Sequence, residues 1–404
     1  MAISPRKAWG IIRSCVKPLG SIRKPLGEAF GYCLAQNVRA NRDMPPADRS
    51  AMDGYAFRAA DLSGYPCNLQ LVGEVAAGSS SHPQIRPGCC AAVLTGANIP
   101  PGSDTVVKIE LTSLDDGTVS IIEPVKPFMN VRKRGEEAAR GDVLLGEGTV
   151  LGPAEVGVCA TVGLANPKVR RRPKIALLCT GAELRDVSQS VAPHQTRNSN
   201  GPVMQAILAD AGFDSVTHEI VPDDPQLTID ALKHATETAD VTILTGGVSV
   251  GKYDYVPDAV KAIGARVRFY KIQMKPGKPL LYATRGRNGH IFALPGNPVS
   301  VLTSMYAFVL PALRRLSGLS EEECLISLRL PLTRKIKSKS GRSLMALARI
   351  VYRRSGPAVT PVESVGSADI SAASSADGVV VIPAESTEVT AGSIVEFQPW
   401  RAKL

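Results

Sequence analysis

Aromatic side chains make up only 5% of the 404 residues, and just two are tryptophan. With no RNP-like run, zinc-finger spacing or long basic helix either, the composition argues against a nucleic-acid partner. The eight cysteines include no C-x-x-C pair, and no histidine stands at ligand spacing from them. A zinc or cluster site is therefore not expected, and the thiols read as reduced and mostly buried. His82, His194, His218, His234 and His290 fall in no spacing that would build a Ser-His-Asp or Cys-His centre. No run approaches 18 apolar residues, and lysine and arginine occur throughout the first thirty. The expectation is a cytoplasmic chain with no signal peptide and no membrane partner.

What the chain has is length, glycine, proline and positive charge. Its 404 residues suggest two to four domains and can bury a large core. Lysine and arginine outnumber the acids by 47 to 37, a net charge of +10, which favours anionic ligands. The basic clusters Arg132–Arg134, Arg170–Arg172 and Lys335–Lys339 read as solvated faces or linkers.

Taken in order, residues 1–40 hold a moderately amphipathic stretch with Leu26, Ala29, Phe30, Leu34 and Ala35, which predicts a helix there. From residue 41 short β-like runs broken by Gly, Pro and Asp follow: 69–75, 89–94, 105–110 and 119–122. The chain returns through a strand at 141–145 and a helix at 152–162. Beyond Pro173 apolar runs alternate with helical stretches: strands at 174–179, 216–221, 241–244, 267–273, 280–283 and 291–294, and helices from Pro202, Pro225, about Asp254 and Pro298. After Gly318 the texture is β again. The expected fold class is α/β plus all-β modules: a doubly wound, mostly parallel sheet with right-handed crossovers, an inserted β module and a small C-terminal β-barrel. The expected boundaries are 1–40 with 139–169 as a helix and strand connector, 41–138 as the inserted β domain, 170–318 as the α/β domain and 319–404 as the barrel.

In such a sheet the turns that follow the strands share one edge, where ligands bind. That places Thr180-Gly-Ala-Glu183, Asp223, Thr245-Gly-Gly247, Asp254 and Pro295–Pro298 together. Thr245–Tyr255 is glycine-rich, sits between a strand and a helix, and suits an anion. Gly246 and Gly251-Lys252 reproduce G-x-x-x-x-G-K, but Tyr253 stands where a P-loop needs Ser or Thr, so a Walker site is not expected. Glu183, Asp223 and Asp254 offer hard oxygen ligands suited to magnesium, and Lys271, Lys275 and Lys278 suit phosphates. Taken alone, Asp223 reads equally well as a helix cap and Lys275–Lys278 as a solvated turn. Ser50–Phe57 and Thr95–Asp104 are likewise readable as capped turns or as sites.

Seven motifs in one order carry a resemblance along nearly the whole chain: Ser50-Ala-Met-Asp-Gly-Tyr-Ala56, Thr95-Gly-Ala97, Arg171-Arg-Pro-Lys-Ile-Ala176 with Thr180-Gly181, Asn198-Ser-Asn-Gly201, Thr245-Gly-Gly-Val-Ser-Val-Gly251, Lys275-Pro-Gly-Lys-Pro279 and Leu294-Pro-Gly-Asn-Pro298. They resemble the molybdopterin molybdenumtransferases, which include the bacterial molybdenum insertases and the E domain of gephyrin. The resemblance implies an elongated homodimer that inserts molybdenum from molybdate into adenylylated molybdopterin and releases AMP with magnesium. An adenylyltransferase stands upstream and apo-molybdoenzymes downstream. It implies an active site between domains and shared across the dimer. Asp53, Thr95, Glu183, Asp223 and Asp254 are its catalytic residues, and the last three are the magnesium ligands. Gly246, Gly247, Ser249, Lys271, Lys275, Pro295 and Pro298 bind substrate. The chain departs from the family pattern at Ala182 and Glu137, each in place of Asp, and at Leu347, where the family places an arginine at the molybdate. Arg349 would face the same side about 7 Å further along the strand, and with Ser367 it is the expected replacement. Two other readings fit the resemblance: a scaffold with a decayed site, and a related nucleotide pyrophosphatase.

Overall fold

The computed structural model describes residues 2–248, 255–286, 289–339 and 341–400. The chain divides into two compact units: Met1–Ala35, Gly148–Gly152 and Asn166–Leu404 in one, and Gln36–Glu147 with Pro153–Ala165 in the other.

The first unit opens with helix α1 (Pro5–Cys15). The Ser4 side chain caps it by accepting from the Lys7 amide, and Pro5 occupies the first turn. Its buried Ala8 and Ile12 join the main core beside Leu177 and Phe292. The helix expected around residues 26–35 is not formed. Leu26–Glu28 make a single 3-10 turn, Gly31 takes φ +74°, and Cys33 and Leu34 pair as β-bridges with Val150 and Val169. The apolar side chains of that stretch are buried by extended backbone instead of by a helical face.

The second unit carries the expected β module. Strands β1 (Gly54–Phe57), β2 (Cys67–Val75), β3 (Cys89–Val93), β4 (Thr105–Lys108), β5 (Thr112–Asp115) and β6 (Thr118–Ile121) form one sheet in the order β4-β1-β3-β2-β6-β5. Only β2 and β3 run parallel. Helix α2 (Pro153–Thr161) belongs to the same unit.

Back in the first unit, β7 (Ile175–Thr180), α3 (Asn200–Asp210), β8 (Val216–Val221), α4 (Pro225–Thr238), β9 (Val241–Thr245), α5 (Val256–Ala262), β10 (Arg266–Tyr270), β11 (Leu281–Arg285), β12 (Gly289–Leu294) and α6 (Pro298–Leu316) build the α/β domain. The sheet order is β8-β7-β9-β12-β11-β10. The first four strands are parallel; β11 and β10 continue the sheet antiparallel. Alternation along each strand explains the continuous apolar runs. Ile175, Leu177 and Cys179 face a core shared with α1, α3 and α6, while Ala176 and Leu178 face one shared with α4 and α5. α6 has the length and apolarity of a membrane span, yet 78% of that window is buried inside the protein; it is a core helix.

Arg170–Arg172, expected as linker, instead fasten this unit. Arg171 forks onto Asp240 at 2.6 and 2.8 Å. Burial alone would raise the Asp240 carboxyl; the bonds from Arg171 and the Lys174 amide outweigh it and hold the group below its usual range. Arg172 lies 4.1 Å over the Tyr32 ring and donates to the Gly31 carbonyl. His290 is equally structural: buried, bonded to the Tyr282 hydroxyl at 2.9 Å and pushed down to about 4, it stays neutral.

The terminal domain comprises β13 (Leu328–Pro331), β14 (Ser343–Arg353), β15 (Gly356–Pro361), α7 (Ile370–Ser374), β16 (Gly378–Ile382) and β17 (Ile394–Pro399). Pairing runs β15-β14-β16-β17-β13. One parallel bridge, Leu332 to Val359, returns the last strand to the first and makes the small barrel. Outside it, Met274–Lys275 of the α/β domain pair in parallel with Ser343–Leu344. This joins the barrel to the functional edge of the sheet.

Candidate active site

Four strand ends converge on a pocket of about 350 Å³ lined by Thr180, Gly181, Glu183, Asp223, Gly246, Gly247, Val248, Pro279 and Pro295–Asn297. These are the turns after β7, β8, β9 and β12 that parallel topology assigns to one edge. Gly246 (φ +92°) and Gly247 (φ +59°) turn the chain where a side chain would strike β7: a Cβ on Gly246 would lie 2.2 Å from the Thr180 carbonyl oxygen. The Gly246 amide donates to Leu294 at 3.3 Å. That N–H therefore extends the β9–β12 ladder; residues 249–254 of the glycine turn lie outside the described residues.

Asp223 and Asp224 divide two jobs that the sequence left entangled. Asp224 caps α4, its carboxylate accepting from the Leu227 amide at 2.9 Å. Asp223 lines the pocket. Glu183 enters from the turn after β7, its carboxylate packed against Gly181, where a Cβ would meet Oε2 at 2.7 Å. Among the described residues no lysine or arginine lines this pocket. Among the described residues no group of three acidic, His or Cys side chains stands at metal-binding distance; Asp254 and Ser249 lie outside the described residues. The carboxylates of Glu183 and Asp223, both in the lining, are the right donor chemistry for a hard divalent ion.

A second cleft of about 600 Å³ shares Pro279, Pro295 and Asn297 with the first. It lies between the Lys275–Pro279 turn, the start of α6 and the barrel. Lys275, Lys278, Lys335, Lys337 and Arg342 line it, and among the described residues no acid does. Lys335–Lys339 was thus only partly a solvated surface; Lys335, the buried Ile336 and Lys337 all line the cleft. Ser367 also lines it and accepts from the Asn297 side chain at 2.8 Å. Asn297 does occupy the N-cap position of α6, but its side chain makes no cap bond.

The other expected residues fall elsewhere. Lys271 lines neither pocket; its ammonium sits 4.8 Å from the Tyr270 ring. Pro298 begins α6, while Pro295 forms wall in both pockets. Leu347 is 5% exposed and lines the cleft, whereas Arg349 is exposed and does not. In the second unit the Thr95 amide and hydroxyl both donate to Asp53 Oδ1, at 2.6 and 2.8 Å. The amide bond first, then the hydroxyl, holds Asp53 below the usual carboxylate range, so it is an anion at neutral pH.

The Asn198-Ser-Asn-Gly motif supports the shared wall. Asn198 accepts from the Gly201 amide at 3.0 Å and meets His218 at 3.1 Å, which fixes the entry to α3. Asn200 then donates to the Gly296 carbonyl at 2.7 Å. Asn200→Ala should lower stability by about 1 kcal/mol in urea unfolding, the usual worth of one such bond. Asn200→Asp should not restore it, because a carboxylate cannot donate; an unchanged midpoint for both would remove the anchor.

Comparison with known proteins agrees with this geometry. The model described as the MoeA N-terminal region (domains I and II) matches residues 3–163, the probable molybdopterin binding domain matches 176–315, and the MoeA C-terminal region (domain IV) matches 329–400. The molybdopterin molybdenumtransferase of Staphylococcus aureus strain MRSA252 is 35% identical over 305 residues, covering 74% of this chain and 73% of the relative. That of Staphylococcus epidermidis is 30% identical over 376 residues, covering 92% and 89%. The crystal structure of the molybdopterin biosynthesis MoeA protein from Pyrococcus horikoshii OT3 superposes with a TM-score of 0.84 at 25% identity, over 99% of this chain and 100% of that one. With its three regions matched in order and relatives aligned over most of both chains, this chain belongs to the molybdopterin molybdenumtransferase family, enzymes of molybdenum cofactor biosynthesis.

Proposed function

We propose that the enzyme transfers molybdenum from molybdate into adenylylated molybdopterin and releases AMP in a magnesium-dependent step. The observation that carries this is the separation of charge across one wall. Among the described residues, two carboxylates and no cation stand on one side of Pro279, Pro295 and Asn297; five cations and no acid stand on the other. A substrate that joins a metal-bound pyrophosphate to a molybdate acceptor needs both environments side by side. Glu183 and Asp223, with Asp254, would hold magnesium, which when bound neutralises phosphate charge and leaves the phosphorus open to attack. Water adds across the phosphoanhydride; AMP departs with one phosphate and the pterin keeps the other. Lys275 and Lys278 hold anionic oxygens at the mouth of the cleft by charge-assisted bonds. The family resemblance assigns Asp53 and Thr95 a catalytic role, and within the second unit the two bonds from Thr95 fix the Asp53 carboxylate. The protein is proposed to work in the cytoplasm as a homodimer, taking substrate from an adenylyltransferase and passing cofactor to apo-molybdoenzymes, with no nucleic acid or membrane involved.

A scaffold function is the second reading, favoured by the apolar Leu347 in the cleft wall. One assay separates them. Full-length protein receives adenylylated molybdopterin, molybdate and magnesium; AMP is measured, and the product is offered to an apo-molybdoenzyme. AMP release together with reconstituted activity is expected. Substrate binding with neither would establish the scaffold, and AMP release without usable cofactor would establish a pyrophosphatase.

A further inference from the structure

We propose that Arg342 and Lys337, on the barrel side of the larger cleft, complete its tetrahedral-oxyanion site together with Lys275 and Lys278, and that Arg349 takes no part in it. The proposal rests on the functional reading above only in naming the oxyanion as molybdate.

The cleft gathers five cationic side chains with no carboxylate among the described residues that line it. Lys335 has Glu388 at 3.8 Å. For Lys275, Lys278, Lys337 and Arg342 no acid lies within ion-pair distance among the described residues. Like charges collected in one concavity repel unless an anion joins them, and such a concavity concentrates anions. The cations come from two domains: Lys275 and Lys278 from the turn between β10 and β11, Lys337 and Arg342 from the segment that leads into β14. The pairing of Met274–Lys275 with Ser343–Leu344 brings the two sets to the same mouth.

The register of β14 explains why Arg349 is not part of this set. The strand contributes Leu344–Leu347 to the cleft and then leaves it. At Arg349 the chain pairs with Thr360 on β15, and the side chain is exposed. Leu347 supplies apolar wall, so the charge absent from that position enters at the start of the strand. A guanidinium is suited to this task because its planar fork offers paired N–H donors to two oxygens of one oxyanion, whereas an ammonium is a point charge.

The test is equilibrium dialysis of full-length protein against molybdate, with bound metal quantified and no pterin present. Arg342→Ala and Lys337→Ala should each weaken binding about tenfold, the scale of one charge-assisted contact. Arg342→Lys should fall between, keeping the charge but not the fork. Arg349→Ala should stay within about twofold of wild type. Sulfate, a dianion of the same shape, should compete. All these side chains are exposed, and unchanged thermal unfolding will show that the variants fold. Loss of binding in Arg349→Ala with retention in Arg342→Ala overturns the proposal, as does a wild-type protein that binds no molybdate. Because the readout involves neither pterin nor AMP, molybdate binding through Arg342 without AMP release would refute the functional reading alone. AMP release and cofactor insertion with Arg342→Ala unaffected would refute this inference alone.

Discussion

Gly246→Ala is expected to destabilise the protein by about 2 to 5 kcal/mol, the sum of a left-handed backbone cost of about 1 to 2 and an overpacking cost of about 1 to 3. The residue has φ +92°, and the added Cβ would fall 2.2 Å from the Thr180 carbonyl oxygen and 2.8 Å from its hydroxyl. The first of these is a backbone atom at the end of β7, in the middle of the sheet between β8 and β9, so it cannot swing aside. Relief must come from parting β7 and β9 at the edge where the pocket opens. Gly296→Ala is the internal control. It lies in the same pocket, but its Cβ would meet only the Gly246 Cα at 3.8 Å, an ordinary contact. Urea unfolding of both variants checks the argument. A Gly246→Ala midpoint as high as that of Gly296→Ala would show that the strand ends tolerate separation.

Asp223→Asn is expected to slow magnesium-dependent AMP release about 100-fold, equivalent to about 2.7 kcal/mol at the barrier. The substitution keeps shape and removes one of the two described carboxylates in the smaller pocket. A divalent ion held by fewer charges binds more weakly, so high magnesium should recover part of the rate. The adjacent Asp224→Ala supplies the contrast. It removes the cap on α4, whose first-turn amide at Leu227 depends on that carboxylate, and should cost stability of about 1 kcal/mol with little effect on release. Equal rates for wild type and Asp223→Asn across magnesium concentrations would remove Asp223 from the reaction.

The smaller pocket was largely legible in the sequence, because local features specify it. Apolar runs give buried strands, glycines and prolines end them, and parallel connection sends every turn to one edge. The larger cleft was half legible. Lys275 and Lys278 stood in a recognisable turn, but Lys337 and Arg342 reach it only through a pairing between Met274–Lys275 and Ser343–Leu344. No local periodicity records a contact between segments so far apart. Position 349 failed for a related reason. Side-chain alternation fixes which face a residue is on, but not how far along the strand the cleft extends. The helix expected at residues 26–35 was misplaced because apolar spacing there suits either a helical face or an extended run pinned by distant bridges. Ser4-Pro5 followed by Ala8, Ile11 and Ile12 was the stronger signal, since a cap and a proline mark a helix start where spacing alone does not.

The barrel is closed by the single bridge between Leu332 and Val359, with the Thr333 amide donating to the Val359 carbonyl at 2.9 Å. The ladders along β15-β14-β16-β17-β13 each pair at least four residues. The seam holds by fewer backbone bonds, with the Thr333–Thr360 hydroxyl contact and the Arg334 bond to the Pro361 carbonyl beside it. Lys335 and Lys337 lie just beyond it. In hydrogen exchange the Thr333 amide should lose protection before those of β14 and β16, and a bound oxyanion that bridges Lys337 to Lys275 would act as a latch across the seam, slowing that exchange without touching either partner of the bridge.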